Sequence, residues 1–240
     1  VERKNALAFS GGKDSMACLY LLADRGILAD TLVIYINAGK SLPEQQAMIE
    51  HARAMCPQFL EIVTSQEAQN RQQGLPTEFV PITWTRQGAF ASGKTRSRFV
   101  QAHLECCSAN LLQPLWKTLK AAGVTHLIRG QRNAEAYKGP ARSGDMFDGI
   151  TFVQPIEDWS DEEVRSYLRT KMGDAYPDHF RFEHSSLDCY DCTAYAEPER
   201  LAWMEAEHPV QHADYLARRA ELHSILSEAA EEIGLSLSWE

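Results

Sequence analysis

Short apolar runs alternate with stretches of helical spacing over the first sixty residues. Asn5-Ala6-Leu7-Ala8-Phe9-Ser10 reads as a short buried strand, and from Lys13 to Arg25 the residues Met16, Leu19, Tyr20 and Ala23 recur at helical spacing. Thr31-Leu32-Val33-Ile34-Tyr35-Ile36 is a continuous β-prone run, as expected for a parallel strand covered on both faces. Pro43 suits a first helical turn and opens a second helix to about Met55; Phe59-Leu60-Glu61-Ile62-Val63-Thr64 supplies a third strand.

The rhythm then fails. Between residues 66 and 101, Gly74, Pro76, Pro81, Gly88 and Gly93 interrupt any period, which predicts a long loop-rich insertion. Order returns with a helix from about Ser108 to Ala122, a strand at His126-Leu127-Ile128-Arg129 and another around Ile150-Thr151-Phe152-Val153. Ser160-Asp161-Glu162-Glu163 has the form of a capping box, and the tail from Glu197 reads as two helical segments divided near Pro209. Alternating strands and helices imply an α/β fold with a doubly wound, mainly parallel sheet, whose ligands lie beyond the carboxyl ends of the strands. The expected organisation is one domain over residues 1–195, carrying the insertion at 66–101, and a helical C-terminal extension over 196–240.

Composition narrows the classes. Of the 240 residues 44% are hydrophobic, yet the longest apolar runs are of strand length, so a soluble protein with no membrane span is expected. The opening Val1-Glu2-Arg3-Lys4-Asn5 lacks the apolar core of a signal peptide, which favours a cytoplasmic location. A net charge of −9 argues against wholesale electrostatic coating of nucleic acid. Arg86, Lys94, Arg96 and Arg98, with no acid between the first and the last, form either a solvated loop or a flap over an anionic ligand.

Phe9-Ser10-Gly11-Gly12-Lys13-Asp14-Ser15 has the parts needed to grip a pyrophosphate. Two glycines let the backbone turn with its N–H groups exposed, and the new helix aims its positive end at the anion. Lys13 and the hydroxyls of Ser10 and Ser15 add donors, while the carboxylate of Asp14 suits Mg²⁺ or backbone hydrogen bonds within the loop. The Walker spacing is absent, since four residues do not separate Gly from Gly-Lys. The hexapeptide from Ser10 to Ser15 instead resembles the PP-loop of the N-type ATP pyrophosphatases, which implies an adenine nucleotide alpha hydrolase-like fold and cleavage of ATP between its α and β phosphates.

Two further segments resemble the PAPS reductase family within that superfamily. Asn37-Ala38-Gly39-Lys40-Ser41-Leu42-Pro43-Glu44 is similar to its Asp-Thr-Gly-x-x-Phe-Pro-Glu-Thr segment, with departures at Asn37, Ala38 and Gln45. Gly130-Gln131-Arg132-Asn133-Ala134-Glu135 resembles its Gly-x-Arg-x-x-Glu element. The resemblance implies that Asn37, Gly39 and Gly130 border the nucleotide, that Arg132 contacts phosphate or sulfate, and that Glu135 orients Arg132 or a downstream Arg142. Taken alone, an Arg and a Glu three residues apart are also a common surface ion pair. The likeness spans about residues 4–195, including Gln154-Pro155-Ile156-Glu157-Asp158-Trp159, which is assigned to architecture.

Cys106-Cys107 and Cys189-x-x-Cys192 suit a metal centre once folding brings them together, with an iron–sulfur cluster, zinc and unligated thiols as alternatives. The pattern resembles the cluster-binding set of the APS reductases, which implies a four-iron four-sulfur (4Fe-4S) centre. Cys18 and Cys56 read as packing residues.

The reductases of this family attack sulfate with a cysteine in a later Glu-Cys-Gly-Leu-His segment, whereas no cysteine follows Cys192 in this sequence. They usually carry an eroded loop; here it is intact. The expected function is therefore an ATP pyrophosphatase with Lys13, Asp14 and Arg132 as catalytic residues, adenylating an acceptor for sulfur transfer. It resembles the cluster-carrying members of DNA phosphorothioation systems and, more distantly, the tRNA thiolases, which implies a nucleic-acid acceptor and a cysteine desulfurase as sulfur donor. Alternatives are an atypical APS or PAPS reductase, an ATP sulfurylase-like enzyme, and a non-catalytic nucleotide-binding subunit. The oligomeric state is left open.

Overall fold

The computed structural model describes residues 4–135, 139–182 and 185–235. Its elements begin with β1 (Asn5–Phe9), α1 (Lys13–Asp24), β2 (Thr31–Asn37), α2 (Pro43–Met55) and β3 (Phe59–Val63). There follow α3 (Gln66–Gln73), β4 (Leu75–Thr77), α4 (Arg86–Ala91), β5 (Val100–Ala102), α5 (His103–Cys107) and α6 (Gln113–Ala121). The chain continues through β6 (His126–Ile128), β7 (Met146–Phe147), β8 (Ile150–Val153), α7 (Asp161–Met172), α8 (Pro198–Glu207) and α9 (Pro209–Glu231).

The chain divides into two compact units, the first formed by residues 1–37, 41–63 and 113–188. It holds a six-stranded sheet in the order β3-β2-β1-β6-β8-β7, parallel except where β7 runs against β8. In the register, Leu7 of β1 faces Val33 of β2 on one side and Ile128 of β6 on the other. The chain therefore winds outward from β1 in both directions, and the crevice at the carboxyl ends of β1 and β6 is the switch point where such sheets take ligands. Leu7, Phe9, Val33 and Ile128 are buried in one core with Met16, Leu19 and Leu22 of α1, Met48 and Ile49 of α2, and Val164 and Leu168 of α7. The expected α/β fold and the helix spacing of α1 and α2 are thus both present.

The second unit comprises residues 38–40, 64–112 and 189–240. Here the structure corrects the expected loop-rich insertion at 66–101. That stretch contains α3, capped by Ser65 accepting from Ala68 N at 3.1 Å, and α4, capped by Thr85 accepting from Gly88 N at 3.0 Å. β4, between these helices, pairs in parallel with β5, which follows α4. Its glycines punctuate elements instead of dissolving them. Gly74, for example, takes φ +99° at the end of α3, where a Cβ would lie 2.1 Å from the Phe99 carbonyl.

The tail is two helices divided at Pro209, as read, but the units are not divided at residue 195. Leu222, Ile225, Leu226 and Ala229 of α9 share a core with Leu75, Trp84 and Val100, because short β4 and β5 carry too few apolar residues to bury themselves. The expected helix from 108 to 122 is present as a π-helical turn at Ser108–Leu112 followed by α6, and helical structure begins earlier than expected, with α5. The basic cluster is not an open flap. Lys94 and Arg96 meet Glu232 at 2.7 Å, Arg98 pairs with Glu228, and Arg86 bonds the carbonyls of Arg71 and Gln72. No helix among the described residues is long and apolar enough to cross a membrane.

Candidate nucleotide site and thiol cluster

The loop between β1 and α1 is built as its sequence requires. Gly11 sits at φ +75°, a conformation that side chains resist, and its ideal Cβ would lie 2.5 Å from the Gln45 amide nitrogen. Gly12 is extended and caps α1, which starts at Lys13. Ser15 Oγ donates to Gly12 O at 2.9 Å, stands 3.2 Å from Ser10 Oγ and accepts from Ser10 N at 3.3 Å, so the two serines pin the turn shut.

The loop's cations are buried and paired. Lys13 is 1% exposed, with Nζ 3.3 Å from both Asp14 Oδ2 and Asp161 Oδ1. Arg132, 5% exposed, reaches Asp14 Oδ1 from Nε at 2.7 Å and Asp161 Oδ1 from Nη2 at 3.1 Å. Glu135 Oε1 accepts from Arg132 N at 3.0 Å, and burial together with the nearby Asp14 charge pushes this carboxyl above its ordinary value. The pairing of β1 with β6 explains the meeting, because two parallel neighbours deliver the loops that follow them to the same edge.

Gly130 serves this meeting by close approach. A Cβ there would stand 2.6 Å from the backbone carbon of Asp14 and 2.9 Å from Ser15 N, atoms that cannot yield without moving the loop. Gly130→Ala is expected to destabilise the fold by about 1–3 kcal/mol, read as a lowered urea midpoint at unchanged slope. An unchanged midpoint would show that the approach is looser than this.

Asn37 Nδ2 donates to Glu61 Oε1 at 2.7 Å, next to the Glu61–Arg53 ion pair. Gly39 belongs to the second unit. Arg142 Nη1 donates to the carbonyls of Gly139 and Ala141 at 3.1 and 3.2 Å, within its own loop.

The structure also adds residues to the site. Ser185 Oγ accepts from Lys13 N at 2.9 Å, occupying one of the amides that a phosphate would use, and Ser186 Oγ donates to Ser10 O at 3.1 Å. Gln45 donates to Ser10 O and to Asp188 Oδ2, and accepts from Leu187 N at 3.0 Å. Asp188 also accepts from Tyr35 Oη at 2.9 Å. Nothing local in the sequence marks these contacts; Gln45 stood out only as a departure from a family segment. Asp161 was hidden inside a capping box whose capping bonds are made by Ser160 and Glu163.

All four expected metal-binding cysteines fall in the second unit, as free thiols. Burial, with the charges of Cys107 and Cys192, pushes Cys106 up to about 12, and burial pushes Cys192 up to about 11. Cys106 Sγ accepts from Asn110 Nδ2 at 3.6 Å, and the buried Arg200 is within electrostatic reach of Cys189 and Cys192. Such thiols hold their protons at neutral pH and are poor nucleophiles, whereas a metal cation in place of the protons would satisfy the set. Soft sulfur donors fit iron or zinc, but among the described residues no three His, Cys, Asp or Glu side chains are arranged as a ready-made metal site. Cys18 and Cys56 are buried in the first unit's core, in keeping with packing roles.

Comparison with known proteins gives the family. An adenosine 5'-phosphosulfate reductase of Sinorhizobium fredii is 30% identical over 128 residues, 50% of each chain, and one of Allochromatium vinosum is 32% identical over 96 residues, 39% of this chain and 37% of that one. The chain thus spans about half the length, or less, of these curated relatives. A longer match, 77% of this chain and 68% of the relative at 23% identity, is to an adenosine 5'-phosphosulfate reductase of Staphylococcus epidermidis. Among solved structures, phosphoadenylyl-sulfate reductase from Candida auris superposes with a TM-score of 0.46 at 17% identity, covering 72% of this chain and 74% of that one. A 4-thiouridine synthetase in complex with RNA and ATP gives a TM-score of 0.43 at 12% identity, over 91% and 53% of the two chains. Residues 4–195 match the family described as the phosphoadenosine phosphosulfate reductase domain, and the chain belongs to that family.

Proposed function

We propose that the protein is an ATP pyrophosphatase, cleaving ATP to AMP and pyrophosphate and adenylating an acceptor for sulfur transfer. The observation that carries this reading is the intact glycine turn at the start of α1, with Lys13 and Arg132 gathered over it at the switch point of the sheet. An acceptor oxygen attacks Pα, the bond from Pα to the bridging oxygen breaks, and pyrophosphate leaves with that oxygen. Lys13, Arg132 and the loop amides carry the charge that accumulates on the leaving group, and the first turn of α1 adds its dipole. Asp14 supplies an oxygen donor suited to Mg²⁺, a hard cation that uses one or two carboxylates plus phosphate oxygens. A sulfur nucleophile then displaces AMP from the adenylated acceptor. A nucleic-acid acceptor and a cysteine desulfurase as sulfur donor fit this chemistry.

Cys106, Cys107, Cys189 and Cys192 would hold a 4Fe-4S cluster, which when bound supplies or relays sulfur. Anaerobic preparations are expected to be brown, with a broad absorption near the violet–blue boundary that Cys106→Ser removes. A colourless protein carrying one zinc per chain would assign the cysteines to zinc.

The reading is tested by incubating the protein with ATP and Mg²⁺, with and without a nucleic-acid acceptor, and measuring pyrophosphate. One observation favours a second reading: the curated relatives are named adenosine 5'-phosphosulfate reductases. Sulfite release from APS or PAPS with a thiol donor, in the absence of pyrophosphate release from ATP, would replace the pyrophosphatase with the reductase. Nucleotide binding with neither product would make the chain a non-catalytic nucleotide-binding subunit.

A further inference from the structure

Asp161 is the first residue of α7, and its carboxylate does no capping work there, since Ser160 and Glu163 form the box between themselves. It faces the loop instead. Oδ1 lies 3.3 Å from Lys13 Nζ and 3.1 Å from Arg132 Nη2, while Oδ2 lies 2.7 Å from Arg165 on the next turn of its own helix. Lys13, Arg132 and Arg165 are thus matched by three carboxylates, Asp14, Asp161 and Glu135, the last 3.9 Å from Arg132 Nε, so the formal charges of the cluster cancel.

A neutral cluster is a poor trap for a polyphosphate. For Lys13 and Arg132 to act on phosphate oxygens, one carboxylate must give them up. Asp14 is tied to the glycine turn by its position next to Lys13. Asp161 is 42% exposed and already shares its second oxygen with Arg165, so it has both room and an alternative partner. We infer that Asp161 is the internal counter-anion of the phosphate site: it holds Lys13 and Arg132 in place and is displaced toward Arg165 by an incoming polyphosphate, so that it sets the affinity for that group. The inference rests on the assignment of the loop to phosphate binding.

Removing the competing charge should therefore strengthen phosphate binding, even though it leaves buried cations less well compensated in the free protein. The experiment is calorimetric titration of the full chain with inorganic pyrophosphate, ATP and adenosine as separate probes. Asp161→Asn is expected to bind pyrophosphate and ATP about tenfold more tightly, with adenosine unchanged. Arg165→Ala, which removes the alternative partner, is expected to weaken both phosphate ligands severalfold and again to spare adenosine. A positional role for Asp161 in the fold alone would not move the two variants in opposite directions.

Equal or weaker pyrophosphate binding by a folded Asp161→Asn protein would overturn the inference. If that variant does not fold, unchanged binding by Arg165→Ala overturns it instead. A wild-type protein that binds neither pyrophosphate nor ATP sinks the phosphate assignment itself, a result distinct from wild-type binding that the variants leave unaltered.

Discussion

Lys13→Ala is expected to reduce pyrophosphate release from ATP by about a hundredfold to a thousandfold, the range seen when one preorganised donor to a developing anion is deleted. The size follows from burial: an ammonium 1% exposed acts in surroundings that screen it far less than water does. Lys13→Arg is not expected to restore the rate, because a planar guanidinium would have to fit a space shaped for a narrow chain between Asp14 and Asp161. The variant should still fold. Arg132 continues to bridge both carboxylates, so their charges do not lose every partner. Single-turnover pyrophosphate assays, with thermal melting to confirm folding, measure the effect. Wild-type turnover in a folded Lys13→Ala protein would remove the loop from the chemistry.

Asp188 is expected to contribute stability that is lost as the pH rises from about 4 to about 8. Burial pushes its carboxyl up to about 7, although the Tyr35 hydroxyl and the Gln45 amide donate to it and work in the opposite direction. In the unfolded chain the same group titrates near about 3.9. The folded state therefore binds this proton more tightly, and the stabilisation is fully present below the unfolded value and lost as the pH passes through about 7. The gap between the two states corresponds to about 4 kcal/mol at most. Burial pushes the His179 imidazole down to about 4, which works in the opposite direction over the lower part of that range, so the measure is the wild-type urea midpoint minus that of Asp188→Asn, a variant that keeps an acceptor for Tyr35; this difference should fall between pH 4 and pH 8. A difference that stays constant across that range would show that Asp188 is ionised at no cost. Since Gln45 holds both Asp188 and the Ser10 carbonyl, the same titration bears on the glycine turn before α1.

Much of the first unit was legible because its signals are local. The strand ending at Phe9, the two glycines and the amphipathic run after Lys13 each act within a few residues, and the structure has β1, the turn and α1 in those places. The capping box at Ser160 was equally readable, since its bonds span three residues. The second unit was not. Its strands are three residues long, too short to show a period, and the helix that buries them is more than a hundred residues further on. The same separation hid the partners of the basic cluster: no acid lies between Arg86 and Arg98, yet Glu228 of α9 and Glu232 just beyond its end neutralise most of it.

By itself, the sequence determined that a glycine turn follows the first strand and opens a helix with a lysine on it, because backbone freedom and helix polarity are properties of the residues concerned. It also determined the α/β alternation that puts such a turn at a sheet edge. Only the tertiary structure decided which charges meet there. Arg132 arrives because β6 lies beside β1, Asp161 because α7 packs on α1, and Ser185 and Gln45 because segments far apart in the chain converge on the Ser10 carbonyl and the Lys13 amide. Electrostatic pairing depends on distance in space, and no pattern of residue types along a chain encodes that distance.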